Sequence, residues 1–212
     1  GTVNYTLDRL IESPLKIVAE IAIPISHSLL SRECEVSKIK KVYSHPQSFA
    51  QCKNWVLENL KSVELIEVSS NSYAATLASE EEGAAAIASK VAGTKYGLNI
   101  LHEGIEDSST NTTRFLVIGK NINKPSGHDK TSIVITPDQE QVGTLYNILA
   151  VFYKHNVNLT MIESRPNKIT QWRYIFFVDA EGHIDDESMT KVVGDLKKIA
   201  PDTRILGSYP KD

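Results

Sequence analysis

The sequence predicts two α/β units in series: strands alternating with helices around a largely parallel sheet, then a compact βαββαβ unit of the ferredoxin-like kind. Three observations carry this prediction. Upstream, short β-rich runs are followed by stretches with helical spacing of apolar residues. Between residues 131 and 212, strand and helix patterns follow in the order βαββαβ. Between the two lies the polar run 121–130, which holds Pro125 and Gly127 and has the composition of a linker. We place the units at 1–124 and 131–212, in keeping with 212 residues at roughly 150 per domain.

Thr2 to Leu10 is a helix candidate. Ile17, Ala19, Ile21, Ile23 and Ile25 alternate as in a half-buried strand, with Ser28 to Leu30 as a continuation. Val42-Tyr43 is a short strand running into Ser44-His45-Pro46, where a proline behind a hydroxyl marks a helix start. Phe49, Cys52, Val56 and Leu60 give that helix its buried face. Leu65 to Val68 is the next strand, and a helix begins at Asn71. The alanine run from Ala84 to Ser89 reads as helix on propensity alone. Arg114 to Ile118 is a strand ending at Gly119.

Downstream, Ile133 to Ile135 is a strand, and after Val142 the residues Leu145, Tyr146, Leu149 and Phe152 share one helical face. Asn158 to Pro166 and Trp172 to Asp179 are strands. Met189, Val192, Val193, Leu196 and Ile199 form a second helical stripe that Pro201 stops, and Thr203 to Tyr209 closes as a strand. This order puts two helices on one face of an antiparallel sheet.

Apolar residues make up 41% and charged residues 23%, a globular composition that excludes a disordered or collagenous chain. No apolar run approaches the roughly 18 residues of a membrane span. With no signal peptide at its start, a cytoplasmic location is expected. A net charge of −3 argues against nucleic-acid binding, which needs a clustered Lys/Arg surplus. An anionic ligand would therefore have to be held by local donors. Cys34 and Cys52 read as two buried free thiols, and the six histidines show no metal-ligand spacing.

Three segments have residue types suited to chemistry. Ser44 to Cys52 follows a strand and opens a helix, where free backbone N–H groups and the helix dipole suit a carboxylate. A cap at Ser44 and a solvated Gln51 is the plainer reading of these residues alone. Ser69-Ser70-Asn71 is a second strand-to-helix junction with capping residues. Thr110 to Phe115 is a polar loop entering a strand, where a hydroxyl beside the Arg114 guanidinium could present a donor and a cation to one anion. Its plainer reading is a junction with Arg114 in a surface ion pair. His102-Glu103 and Glu106-Asp107 read as a solvated acidic loop. Ligands bind outside strand ends in α/β folds, and these junctions fit that rule.

The ordered set S-H-P-Q with the following Q-C, N-T-T-R-F, N-L-T-M-I-E-S-R-P and W-R-Y-I-F-F-V-D-A-E-G-H resembles prephenate dehydratase with a C-terminal ACT regulatory domain. The resemblance covers essentially the whole chain. It implies a partial two-lobed catalytic domain, like a periplasmic binding protein, followed by the ferredoxin-like ACT domain. It also implies a cofactor-free enzyme of phenylalanine biosynthesis that converts prephenate to phenylpyruvate and is feedback-inhibited by L-phenylalanine. By the same resemblance, Thr113 is the catalytic donor, Ser44, Gln51, Ser70 and Arg114 contact substrate, and Phe115 shapes the pocket. Gly143, Thr144, Leu145, Asn158, Leu159, Glu163 and Ser164 would line a phenylalanine site between the ACT domains of a homodimer, or of a tetramer built from it. The family places a strand through Ile87 and a helix from Ser89, and that assignment is adopted here over propensity.

Departures from the family pattern are Thr144 for its usual Ala, Tyr146 for its Val, and Ser70-Asn71-Ser72 for its Ser-Thr-Ala. The family also carries a strand-helix-strand section ending in Glu-Asn-Ser ahead of its Gly-Thr-Val, whereas this sequence opens on Gly1-Thr2-Val3. Little turnover is therefore expected of the 212 residues by themselves. The alternatives carried forward are a phenylalanine-binding regulatory protein without catalysis, and a solute-binding module of similar two-lobed form.

Overall fold

The computed structural model describes residues 9–108, 111–138, 141–166 and 174–211. Two compact units emerge: Ile23–Thr113, and Gly1–Ala22 together with Arg114–Asp212. Of the expected first helix, residues 9–12 are helical, and the rest lies outside the described residues. Strand β1 (Lys16–Pro24) leads into the first unit. That unit comprises β2 (Ser28–Ser31), β3 (Lys41–Ser44), α1 (Pro46–Gln51), α2 (Lys53–Asn59), β4 (Glu64–Glu67), α3 (Asn71–Glu80), β5 (Ala84–Ala88), α4 (Lys90–Tyr96) and β6 (Asn99–Glu103). Strand β7 (Thr112–Gly119) leads out of it and pairs with β1, so the division between units falls inside both strands. Just before β7, Ile25 N donates to Asn111 O at 2.9 Å.

The five strands of the Ile23–Thr113 unit order as β4-β3-β5-β2-β6, with β3 parallel to β4 and β5, and β2 antiparallel to β5 and β6. Ser28 to Leu30 therefore does not continue the first strand: Pro24 ends β1, and β2 belongs to this other sheet. All four β2 residues are buried, with Leu29 and Leu30 in the clusters on opposite faces, as an interior strand requires. β5 is the alanine run, and it is a strand. Ala84, Ala86 and Ala88 pack with Ala74, Ala75 and Ala78 of α3, while Ala85 and Ile87 meet Val42, Cys52, Val56 and Leu60. Burial on both faces overrides the helical preference of alanine. The single helix expected over 46–60 is interrupted at Cys52 (φ −114°, ψ 18°), although Cys52, Val56 and Leu60 are buried as predicted. Cys34, expected to be buried, is exposed, because it lies in the loop after β2 rather than in an element.

In the other unit, β8 (Asp129–Thr136), α5 (Thr144–Lys154), β9 (Leu159–Pro166), β10 (Tyr174–Glu181), α6 (Glu187–Ile199) and β11 (Asp202–Pro210) form the βαββαβ arrangement. The antiparallel sheet orders as β11-β8-β10-β9. One face, with Ile133, Ile135, Phe176 and Val178, packs on Ile148 and Phe152 of α5 and Met189, Val192 and Leu196 of α6. Side chains alternate along a strand, so Val134 and Phe177 point to the other face, where they meet Leu10, Ile17, Leu206 and Tyr209. That face is covered by β1. The register of β11 shifts between Ile205 and Gly207, and a Cβ on Gly207 would lie 2.1 Å from the Ile17 carbonyl oxygen. Toward the other end of β1, Ile21 and Ile23 are exposed rather than half-buried. No helix among the described residues is long and apolar enough to cross a membrane.

Candidate functional site

Because β3, β4 and β5 run parallel, their C-terminal ends share one side of the sheet, and each leads into a helix. Ser44 ends β3, fully buried, and donates its hydroxyl hydrogen to the Ile87 carbonyl at 2.8 Å; Asn71 Oδ1 is a longer contact at 3.3 Å. Ser44 is thus not the cap of α1. That role falls to His45, whose Nδ1 accepts from Gln47 N at 3.2 Å. Ser70 caps α3, accepting from Tyr73 N at 3.1 Å. Asn71 binds the two junctions together: its Oδ1 accepts from His45 N (3.1 Å) and Ser48 Oγ (3.2 Å), and its Nδ2 donates to Ser48 Oγ (2.8 Å).

Gln51 is held separately. Its Oε1 accepts from His27 Nε2 at 2.8 Å; a carbonyl oxygen can only accept, so the ring nitrogen carries the hydrogen. Its backbone oxygen accepts from Asp107 N at 2.7 Å. Of the segment expected to be a solvated acidic loop, His102, Glu103 and Asp107 are exposed, but the segment also has a structural role. His102 and Glu103 lie in β6, Glu106 Oε2 accepts from His27 N at 2.8 Å, and Asp107 Oδ1 accepts from Asn54 N at 3.1 Å. Carboxylates beside otherwise unsatisfied backbone donors accept charge-assisted hydrogen bonds, which anchors Glu106 and Asp107 at the surface. Sequence reasoning missed His27 and the linking role of Asn71. The available signals were a histidine two residues before the apolar pair Leu29-Leu30, and an asparagine where the family has threonine.

Thr113 lies on β7 with its side chain exposed. Thr110, at the start of the same motif, lies outside the described residues. Arg114 follows Thr113 on the strand, so its side chain points to the opposite face. Its Nη1 donates to Asp179 Oδ2 at 2.5 Å and its Nη2 to Tyr209 Oη at 2.7 Å, and its Nε lies 2.6 Å from Glu20 Oε2 in an ion pair. Lys130 reaches Glu20 Oε1 at 2.6 Å, and Ser132 donates to Asp179 Oδ1 at 2.5 Å. Two cations face two carboxylates, a balance a half-buried cluster needs. Burial, followed by the Asp179 charge, pushes the Tyr209 phenol above its ordinary range, so it stays a donor at neutral pH.

The residues matched to a phenylalanine site fall in two places. Gly143, at φ 87°, precedes α5 in the left-handed region that favours glycine. Thr144 Oγ1 donates to Gln141 O at 2.8 Å, and Leu145 is exposed. On β9, an edge strand, Asn158 just before it donates to Glu181 Oε2 at 3.2 Å, Leu159 is half-buried, and Glu163 Oε1 accepts from Arg165 Nε at 2.9 Å. Ser164 is exposed and pairs in register with Phe176, on the helix-bearing face; Glu163 pairs with Phe177, on the other.

The two units are thus a mixed α/β unit with polar residues at its strand ends and a ferredoxin-like βαββαβ unit. The prephenate dehydratase family model matches residues 1–123, and that of the ACT domain matches residues 133–198. The chain belongs to the prephenate dehydratase family. It is 51% identical over 211 residues to a bifunctional chorismate mutase/prephenate dehydratase of Aquifex aeolicus, covering all of this chain and 58% of that protein. It is 37% identical to a prephenate dehydratase of Methanocaldococcus jannaschii, covering 99% of this chain and 77% of that one. Among solved structures, a prephenate dehydratase from Arthrobacter aurescens in complex with L-Phe superposes with a TM-score of 0.88 at 35% identity, covering 100% of this chain and 71% of that one. A quorum-quenching acylase superposes at 0.84 with 26% identity, covering 96% and 75%.

Proposed function

We propose that this chain carries the dehydratase and regulatory parts of an enzyme that converts prephenate to phenylpyruvate under feedback control by L-phenylalanine. The observation that carries the reading is 51% identity along the whole chain to a protein with that dehydratase activity, dehydratase and ACT segments alike. In the reaction the ring carboxylate leaves as CO2, its bonding pair enters the ring, and the C–O bond opposite breaks as the hydroxyl departs. Aromatisation drives it. What the protein must supply is a dianion site and a donor toward the leaving oxygen. Thr113 is that donor; a threonine hydroxyl is too weak an acid for full proton transfer, so it acts by stabilising developing charge. Gln51 and the strand-end junction around Ser44 and Ser70 hold carboxylate, and Arg114 acts from behind Thr113 through its contacts with Asp179 and Glu20. Ser44 is not arranged as a nucleophile, since its proton goes to the Ile87 carbonyl and His27 is engaged with Gln51. This disfavours an acylase of the serine type.

The regulatory site is read as lying between two copies of the ACT domain. Glu163 and Ser164 face opposite sides of the β9 edge, and α5 exposes Leu145, Tyr146, Leu149 and Tyr153, so a second copy would complete both the edge and the apolar face.

The test is phenylpyruvate formation from prephenate, followed by ultraviolet absorbance, with the protein expressed from its complete reading frame. Phenylalanine titration by calorimetry runs alongside. Turnover inhibited by phenylalanine is expected. Phenylalanine binding without turnover would favour a purely regulatory protein, and absence of both would overturn the reading.

A further inference from the structure

We propose that His27 is a positioning residue that fixes the Gln51 carboxamide with its amino group free to donate. The inference rests on the reading of Gln51 as a substrate contact. A primary amide turned by 180° about its last bond presents an acceptor where it presented a donor. Beside an anionic substrate the wrong orientation sets a carbonyl oxygen against negative charge. In this structure Oε1 is occupied by the His27 Nε2–H at 2.8 Å, which leaves the Gln51 N–H groups as the outward donors.

Two features make the pair a fixed device. The backbones of both partners are held by one short segment: Glu106 Oε2 accepts from His27 N (2.8 Å), Ile105 N donates to His27 O (3.1 Å), and Asp107 N donates to Gln51 O (2.7 Å). His27 is 4% exposed, yet among the described residues its Nδ1 has no hydrogen-bond partner. A histidine kept only to fill a core normally satisfies both nitrogens. Here the contact with Gln51 alone selects which nitrogen carries the hydrogen, where a partner on the other nitrogen usually does so.

The geometry gives a discriminating pair of variants. In His27→Gln the side-chain nitrogen can occupy the Nε2 position, whereas His27→Asn places polar atoms only at the Nδ1 position. We expect KM for prephenate to rise about tenfold in His27→Asn with kcat within about threefold, and His27→Gln to return KM to within about threefold of the parent. In a Gln51→Ala background, His27→Asn should raise KM no further. The proposal is overturned if His27→Asn leaves KM unchanged or equals His27→Gln, or if its effect adds fully to that of Gln51→Ala. A purely structural histidine would lower thermal stability in both variants without separating them in KM. Turnover by the parent protein with a KM indifferent to His27 removes this inference alone; no turnover by the parent removes the dehydratase reading and the inference with it.

Discussion

Arg114 reaches from β7 to the Asp179 carboxylate on β10 at 2.5 Å, so the residue that follows Thr113 is bolted to a central strand of the ferredoxin-like sheet. The Asp179 side chain is only 3% exposed, and it also accepts from Ser132. Asp179→Asn should therefore cost about 3 kcal/mol, the usual result of removing one partner of a buried pair. Urea unfolding monitored by far-ultraviolet dichroism measures it; an unchanged midpoint would contradict the assignment.

Thr113→Ala should lower kcat about 10²- to 10³-fold, the scale of losing one donor aimed at developing charge. Its exposed position means stability should hardly change. Thr113→Ser, which keeps the hydroxyl, should retain most of the rate. Normal turnover in the alanine variant would remove Thr113 from the mechanism.

Two glycines should respond differently to alanine. Among the described residues Gly143→Ala meets no neighbouring atom within 4 Å and pays only left-handed backbone strain, about 1–2 kcal/mol. At Gly207 the new methyl would lie 2.1 Å from the Ile17 carbonyl oxygen, so β1 must move, at about 3 kcal/mol or more. Comparing the two denaturation midpoints decides it.

Asp195 gathers Lys154 (2.8 Å), Lys198 (2.7 Å) and His155 (2.9 Å), joining α5 and the residue after it to α6. Hydrogen bonds from Lys154, Lys198 and His155 hold its carboxyl well below the usual carboxylate range. A depressed folded value means the stabilisation is present above the unfolded pKa of about 3.9 and fades as pH falls through the folded value. The melting-temperature gap between parent and Asp195→Asn should be full at neutral pH and shrink progressively below about pH 4.

The thiols should separate in a disulfide-exchange assay. Cys34 is exposed, whereas burial pushes the Cys52 thiol up to about 12. One equivalent should react promptly in the native protein and the second only on unfolding, since the thiolate is the reacting species.

What could be read in advance followed from periodicity. The βαββαβ order and the stripe of α6 emerged from spacing alone, with Met189, Val192 and Leu196 buried; on α5 the buried face differs from the expected one, since Leu145, Tyr146 and Leu149 are exposed and Ile148 joins Phe152 in the core. β5 did not emerge from spacing: its alanines favour helix, and only the resemblance gave the strand that burial on both faces enforces. β2 reads as a continuation of β1 in sequence, because alternation does not reveal which sheet a strand joins. In the candidate site, Ser44, Ser70 and Gln51 stand out as residue types at junctions. The partners of Ser44 and Gln51 do not, because Ser44 meets Ile87 and Asn71 across 43 and 27 positions, and Gln51 meets His27 across 24, only through folding.

The hydrogen bond from Ile25 to Asn111 has a consequence for the construction of the chain. It brings the entry and exit of the Ile23–Thr113 unit together, while the other unit is assembled from segments on either side. Topologically the five-stranded unit is an insert, spliced into its host at a single paired crossing. Such an insert can be lengthened, exchanged or lost with its ends already matched, and the host needs only a short turn to close.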